Sequence, residues 1–127
     1  MSRQTITTPA APSSPLFSQG VRAGSTIYVS GMTGTDATTM QLAGPEIGEQ
    51  TRQALRNGIA VVEAGGGTAD DVVQVTVLLA RPEDFAGMNE EYARAFPTTP
   101  PARAVVKLGV EIPGVLVSIM MTAHLDG

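Results

Sequence analysis

The sequence predicts an α+β fold in which two helices cover one face of a single β-sheet. Two stretches with helical spacing of apolar residues lie among five strand-like stretches, in the order β-β-α-β-α-β-β. Each helix connects two strands, so we expect some parallel pairing, while the flanking hairpins imply antiparallel pairing. A chain of 127 residues is of ordinary size for one domain, here residues 1–127.

The first quarter of the chain contains the first two predicted strands. Residues 1–14 are polar and rich in Thr, Pro and Ser, so we expect them to be loosely ordered. Phe17–Gly20 is predicted as a short strand and Val21–Ser25 as a turn. The β-branched residues of Thr26–Ser30 then predict a strand.

The alternation in that second strand assigns its side chains to two faces. Ile27 and Val29 are predicted to face the core, whereas Tyr28 and Ser30 face the other side of the sheet.

A glycine-rich loop, residues 31–44, precedes the first predicted helix, which runs from about Glu46 to Ala64. Gly65–Gly67 ends this helix, because glycine readily adopts the left-handed cap conformation. Gly58 lies mid-helix at a cost of about 1 kcal/mol relative to alanine. We therefore expect the helix to approach the sheet closely at Gly58.

The second half of the chain predicts a strand, a helix and two further strands. The strand Val72–Leu79 has one apolar face, and the helix runs from Pro82 to the break at Pro97. The core face of the first strand comprises Val73, Val75, Val77 and Leu79. The helix carries Phe85, Met88, Tyr92 and Phe96 at helical spacing.

The last two predicted strands are Arg103–Val110 and Val115–His124. In the first, the predicted core face comprises Ala104, Val106, Leu108 and Val110, opposite Arg103, Val105 and Lys107. In the second, Val117, Ile119, Met121 and Ala123 alternate with Ser118, Met120, Thr122 and His124.

The sheet face that the helices leave uncovered is also apolar in this prediction. Its large residues would be Tyr28, Val72, Leu78, Val105 and Met120. Because such a face is rarely left in water, we predict a closed homo-oligomer in which sheets pack on sheets.

Composition excludes several classes of function. The chain has no cysteine and a single histidine, His124, which excludes thiolate chemistry and histidine-rich metal sites. Its net charge of −4 and lack of a basic block argue against binding of nucleic acid. The sequence has no apolar run that could span a membrane and no signal-peptide pattern, so a cytoplasmic protein is expected.

Arg103 is the strongest candidate for a binding residue. It begins a strand directly after the proline-rich break Pro97–Pro101. A planar guanidinium at such a rigid position suits a carboxylate, which it binds through two parallel hydrogen bonds. The alternative is a structural ion pair, the commoner role of a single arginine.

With these elements placed, the sequence resembles the YjgF/Rid family of reactive intermediate deaminases over nearly its whole length. The matching segments are Phe17-Ser18-Gln19-Gly20, Val29-Ser30-Gly31, Gln50–Asn57, Asp84-Phe85, Met88–Tyr92, Pro101-Ala102-Arg103 and Ile112-Pro113. The resemblance implies a chorismate-mutase-like fold. It also implies a homotrimer whose sheets form a central barrel, with ligand clefts between subunits.

The family activity implied by this resemblance is the hydrolysis of reactive enamines and imines to 2-oxo acids and ammonia, without a cofactor or metal. Arg103 would bind the substrate carboxylate, while Ser30 and the Gly31 backbone would line the cleft. Phe17 occupies the position of a tyrosine in deaminating members. Met120 occupies the position of the glutamate that holds the attacking water; without a one-residue deletion that position falls on Met121.

These two departures leave three functions open. A thioether cannot position water as a carboxylate does, and general acid–base catalysis is worth ~10²–10⁴-fold. Tyr28, predicted on the same face as Ser30 and Arg103, could supply a hydroxyl to the cleft. The chain is therefore an imine hydrolase, a relative with diverted chemistry such as an isomerase, cyclase or lyase, or a non-catalytic protein that binds a carboxylate metabolite.

Overall fold

The computed structural model describes residues 3–126, which form one six-stranded mixed sheet with two helices against one face. This confirms the predicted α+β class. The strands are β1 (Arg3–Ile6), β2 (Gly20–Ala23), β3 (Thr26–Thr33), β4 (Val72–Leu79), β5 (Ala102–Lys107) and β6 (Val117–His124). The helices are α1 (Ile47–Ala64) and α2 (Phe85–Ala95).

The strand order in the sheet is β1-β2-β3-β6-β4-β5. Only β4 and β5 pair in parallel, across the α2 connection, and all other neighbours are antiparallel. The last strand, β6, inserts between β3 and β4, so the α1 connection passes over it. This arrangement leaves β5 at one edge of the sheet.

The prediction that the N-terminal segment is loosely ordered is wrong for Arg3–Ile6. These residues form β1 and pair with β2, and the side chain of Ile6 is buried in the core. The second strand is Gly20–Ala23 rather than Phe17–Gly20, so most of the predicted turn Val21–Ser25 is strand. One buried apolar residue among polar ones gives no alternation that sequence analysis could detect.

Helix α1 matches its prediction closely. Its first turn is closed by Glu49, whose Oε1 accepts a 3.1 Å hydrogen bond from the Glu46 backbone N–H. The predicted glycine end is confirmed, with Gly66 in the left-handed region at φ 103°. The predicted close approach at Gly58 is also confirmed, because an added Cβ there would lie 2.5 Å from the Met121 Cε of β6.

In β4 the predicted core face is wrong at one position. A bulge between Val72 and Gln74 turns Val72 into the core and leaves Val73 49% exposed. Beyond the bulge, the predicted buried positions Val75 and Val77 are confirmed.

The two faces of β5 are the reverse of the prediction. Arg103 pairs with Val75 and Val105 with Val77, both of which are buried beneath the helices. Arg103 and Val105 therefore face the helix side, and Ala104 and Val106 face the open side. Val105 and Val106 are both apolar, so alternation alone cannot choose between the two registers.

The open face of the sheet is apolar, though with different members than predicted. Tyr28, Val106 and Met120 are about half-exposed there, whereas Val72 and Val105 lie on the helix side. Neither helix of residues 3–126 is long and apolar enough to cross a membrane.

Candidate functional site

Arg103 lies at the start of the edge strand β5 and its guanidinium extends over helix α2. Its Nη1 donates a 2.7 Å hydrogen bond to Asn89 Oδ1. Its Cζ lies 4.8 Å from the ring centroid of Tyr92 and 6.0 Å from that of Phe85. Aromatic faces and a neutral amide thus hold the cation in place.

The charge of Arg103 is not cancelled within the described residues. No carboxylate of residues 3–126 lies within ion-pair distance of it. The ion pairs of this part of the chain are Arg52–Glu91, Arg81–Asp84 and Arg94–Glu91. A structural ion pair therefore does not explain Arg103, and its guanidinium is free to bind an external anion.

Helix α2, which carries Asn89 and both aromatic rings, is fixed by charged contacts at its start and near its middle. At its start, Arg81 donates two hydrogen bonds, of 2.9 and 3.0 Å, to the buried carboxylate of Asp84. Further along, Arg52 of α1 donates two, of 3.1 and 3.0 Å, to Glu91. The hydrogen bond from Arg52 lowers the pKa of Glu91, an effect that burial opposes and that the charges of Arg52 and Arg94 reinforce.

Tyr92 forms the floor beneath the guanidinium. It is buried, and its ring packs at a tilt against Phe96 with the ring centroids 5.0 Å apart. Its hydroxyl has no hydrogen-bond partner within the described residues. Burial raises the pKa of Tyr92, whereas the charge of Arg103 lowers it. Tyr92 is therefore a neutral platform and not a base.

A second cluster lies on the open side of the sheet, around the bulge of β3. Ser30 Oγ donates a 2.5 Å hydrogen bond to the Ser18 carbonyl. Gly31 faces Ser118, because a Cβ added to Gly31 would lie 2.9 Å from Ser118 Oγ. Met120, two residues further along β6, is 46% exposed on the same side. Phe17, in the adjoining loop, is also exposed.

The structure does not bring these two clusters together within one chain. Met120 pairs with Thr76 of β4, and Thr76 pairs with Ala104 of β5, so two strand spacings of about 5 Å separate Met120 from Ala104. Arg103 then projects from the opposite face. We call these clusters the arginine half-site (Phe85, Asn89, Tyr92 and Arg103) and the open-face half-site (Phe17, Ser30, Gly31 and Met120).

The prediction that Tyr28 shares a sheet face with Arg103 is therefore wrong. Tyr28 pairs with Thr122 and lies on the open side, so its phenol cannot reach the arginine half-site of its own chain. The error follows directly from the reversed faces of β5.

The sequence predicts no binding role for three members of the arginine half-site. Phe85, Asn89 and Tyr92 all lie in segments matched to the family, and Phe85 and Tyr92 are also predicted as apolar helix positions. Their spacing along α2 was a usable signal, because residues i, i+4 and i+7 share one helical face. The pairing of that face with β5 could not be read from the sequence.

Other residues in the matching segments stabilise loops. Gln19 Nε2 donates to the carbonyls of Thr8, Ala11 and Pro12, and its Oε1 accepts from the Thr8 N–H. Asn57 Nδ2 donates to the carbonyls of Thr33 and Thr35. These buried amides satisfy the polar backbone of loops that would otherwise be unpaired.

No three His, Cys, Asp or Glu side chains within residues 3–126 lie close enough together to hold a metal ion. The candidate site is therefore built from a cation, an amide, aromatic rings and backbone.

Known proteins resemble this chain over most of its length. The chain is 38% identical over 108 residues to a RutC family protein of Pyrococcus horikoshii, covering 85% of this chain and 86% of the relative. It is 38% identical over 107 residues to the 2-iminobutanoate/2-iminopropanoate deaminase of Homo sapiens, covering 84% and 78%.

Among solved structures, RidA from an Antarctic Psychrobacter superposes with a TM-score of 0.90 at 36% identity, covering 96% of this chain and 99% of that one. Escherichia coli TdcF, solved with bound serine, superposes with a TM-score of 0.91 at 29% identity, covering 97% and 99%. The sequence model described as "Endoribonuclease L-PSP" matches residues 7–125. With fold, sequence and family model in agreement over nearly all of its length, the chain belongs to this family, the YjgF/Rid family.

Proposed function

We propose that this protein is a deaminase that hydrolyses small, reactive 2-imino acids and their enamine tautomers to 2-oxo acids and ammonia. The observation that carries the proposal is the uncancelled guanidinium of Arg103, held by Asn89 and Tyr92. A 2-imino acid carries its carboxylate on the carbon that water attacks. Binding of the carboxylate at Arg103 therefore fixes the position of the reacting carbon relative to the guanidinium. The similarity to deaminases supports the same reaction class.

We infer that the complete site forms between subunits of a homotrimer. The arginine half-site of one subunit would face the open-face half-site of the next, because one chain holds the two on opposite sides of its sheet. The exposed apolar residues Tyr28, Val106 and Met120 support an assembly that covers the open face. Such an enzyme would act in the cytoplasm, where pyridoxal-phosphate enzymes release imines from serine and threonine.

The reaction needs little from the protein beyond binding. Water adds to the C=N carbon of the protonated imine to give a carbinolamine, and C–N cleavage then releases ammonia and leaves the 2-oxo acid. Arg103 would neutralise the carboxylate, whose charge otherwise opposes attack. Neither Met120 nor Phe17 can accept a proton from the attacking water. We therefore expect slower turnover than in a relative that has a glutamate at the position of Met120.

Two other functions follow from the same half-sites. Diverted chemistry, such as an isomerase, cyclase or lyase reaction, and simple binding of a carboxylate metabolite both use Arg103 without a water-holding carboxylate. Met120 presents an exposed thioether where a fast hydrolase needs a carboxylate, which favours diverted chemistry or simple binding over fast hydrolysis. The family description names an endoribonuclease, but a net charge of −4 opposes binding of a polyanion.

The test is to generate 2-aminoacrylate and 2-aminocrotonate in situ with a pyridoxal-phosphate dehydratase and to follow formation of the 2-oxo acid and ammonia. Wild type, Arg103→Ala and Met120→Glu are compared, with Arg56→Ala as the control for an exposed arginine on α1. The proposal predicts acceleration by wild type and Arg56→Ala, loss in Arg103→Ala, and a gain in Met120→Glu.

An inert wild-type protein would contradict the hydrolase assignment. If Met120→Glu then gains activity, the cleft is intact and its chemistry has been diverted. If 2-oxo acids stabilise the inert protein through Arg103, the binding role is favoured.

A further inference from the structure

An apolar groove of about 420 Å³ borders the arginine half-site. It lies between β5 and the start of α2. Its lining residues are Leu79, Pro82, Phe85, Val105, Val106 and Lys107. Lys107 is the only polar side chain among them. The other five lining residues are apolar, so the groove is suited to a hydrocarbon chain.

The groove is continuous with the position of the bound carboxylate. Phe85 forms one wall, and the same ring lies 6.0 Å from the Arg103 guanidinium. Val105 follows Arg103 by two residues on the same face of β5, about 7 Å along the strand. A molecule anchored at Arg103 and extending along β5 would enter the groove.

We propose that this groove binds the apolar side chain of the substrate, so that 2-imino acids with side chains of about four to six carbons are preferred over the shorter 2-iminobutanoate. Such a chain is about as long as the groove wall from Val105 to Lys107, which are two residues or about 7 Å apart along β5. This inference rests on the proposed function, because it needs a carboxylate on Arg103. It adds a substrate class that the deaminase relatives' names do not include.

The expected size of the effect follows from burial of hydrocarbon. Each methylene that leaves water strengthens binding about threefold to fourfold. Even with partial burial in an open groove, we expect at least a tenfold gain in affinity between acids whose side chains have two and six carbons. Charge does not contribute to this difference, because every acid in the series has the same carboxylate.

The experiment uses stable 2-oxo acids as probes, since they are the products of the reaction. Binding of 2-oxobutanoate, 2-oxohexanoate and 2-oxooctanoate to the full-length protein is measured by titration calorimetry. Phe85→Ala and Val105→Ala remove parts of the groove wall, and Val110→Ala is the control at an exposed valine outside the groove. Arg103→Ala tests whether all three acids use the same anchor.

The inference predicts that affinity rises with chain length in wild type and Val110→Ala, and that the rise is reduced in both groove variants. A flat series with Arg103-dependent binding of 2-oxobutanoate would overturn the inference and leave the proposed function intact. A rise that neither groove variant reduces would also overturn it. If none of the acids binds, the carboxylate site and this inference both fail.

Discussion

The side-chain amide of Asn89 on α2 accepts a 2.7 Å hydrogen bond from the guanidinium of Arg103 on β5. This contact aims the cation without cancelling its charge, because the acceptor is neutral. A carboxylate at position 89 would make the same hydrogen bond, but it would occupy the guanidinium with an internal ion pair. The chemistry of residue 89 therefore decides whether Arg103 can bind an external acid.

Replacement of Asn89 by aspartate should weaken binding of 2-oxobutanoate by about tenfold or more, since charge-assisted hydrogen bonds contribute about 1.5–3 kcal/mol. Asn89→Ala should have a smaller effect, because the charge of Arg103 remains available. Ala93→Asp adds the same charge at an exposed position on α2 and is the control. Equal losses in Asn89→Asp and Ala93→Asp would show that the added charge acts only at long range. Calorimetry measures all four proteins.

Two separately inactive variants should restore a working site when they assemble together. Arg103→Ala disables the arginine half-site, and Gly31→Asp places a repelling carboxylate in the open-face half-site. If each cleft of a trimer takes one half-site from each of two neighbouring subunits, about one in three clefts of the mixed trimers is intact.

This prediction is checked by co-expressing the two variants with different tags and isolating the mixed assemblies by tandem purification. Binding of 2-oxobutanoate and release of ammonia are then measured. Assemblies of each variant alone are the controls and should stay inactive. Mixed assemblies that form but recover no binding would contradict a site shared between subunits.

The sequence predicts the helices, β4 and β6 well, because in each of them many apolar residues share one periodicity. It fails for β1, where Ile6 is the only buried side chain, and for β5, where the adjacent valines Val105 and Val106 fit either face. Such choices depend on neighbouring strands, which local pattern cannot reveal. The bulge that exposes Val73 is a further case.

The candidate site was predicted unevenly for the same reason. Arg103 is predicted as a binding residue from its position after the proline-rich break and from the resemblance, and that role stays a prediction. Its partners Asn89 and Tyr92 depend on α2 packing beside β5, a contact between distant parts of the chain. The error over Tyr28 has the same origin, since one reversed strand moves a residue to the opposite side of a sheet.

Gln50 should be important for stability rather than for binding. It is fully buried on α1, where Nε2 donates to the carbonyls of Gly44 and Gly114 and Oε1 accepts from the Leu116 N–H. Gln50→Leu leaves these three backbone groups unpaired and should lower the free energy of unfolding by about 2–4 kcal/mol.

Denaturant unfolding of Gln50→Leu measures this loss. Gln53→Leu, one turn away on the same helix and less buried, is the control and should have a smaller effect. A stability of Gln50→Leu within error of wild type would contradict the structural role. Where the variant remains folded, it should retain binding of 2-oxobutanoate.

The ion pairs of Glu91 should make stability depend on pH at the acidic end. The hydrogen bond from Arg52 is the largest cause of the lowered pKa of Glu91 in the folded protein, with the charges of Arg52 and Arg94 in support. A lowered pKa stabilises the fold above the unfolded value of about 4.3, and this stabilisation is lost as pH falls through the folded pKa. Glu91→Gln should therefore have a lower thermal midpoint than wild type at pH 7, and the gap should close towards pH 3.

Glu90→Gln, at the exposed neighbouring position, is the control and should follow wild type throughout. A gap that stays constant from pH 7 to pH 3 would mean that Glu91 stabilises by packing, since loss of its charge would then change nothing.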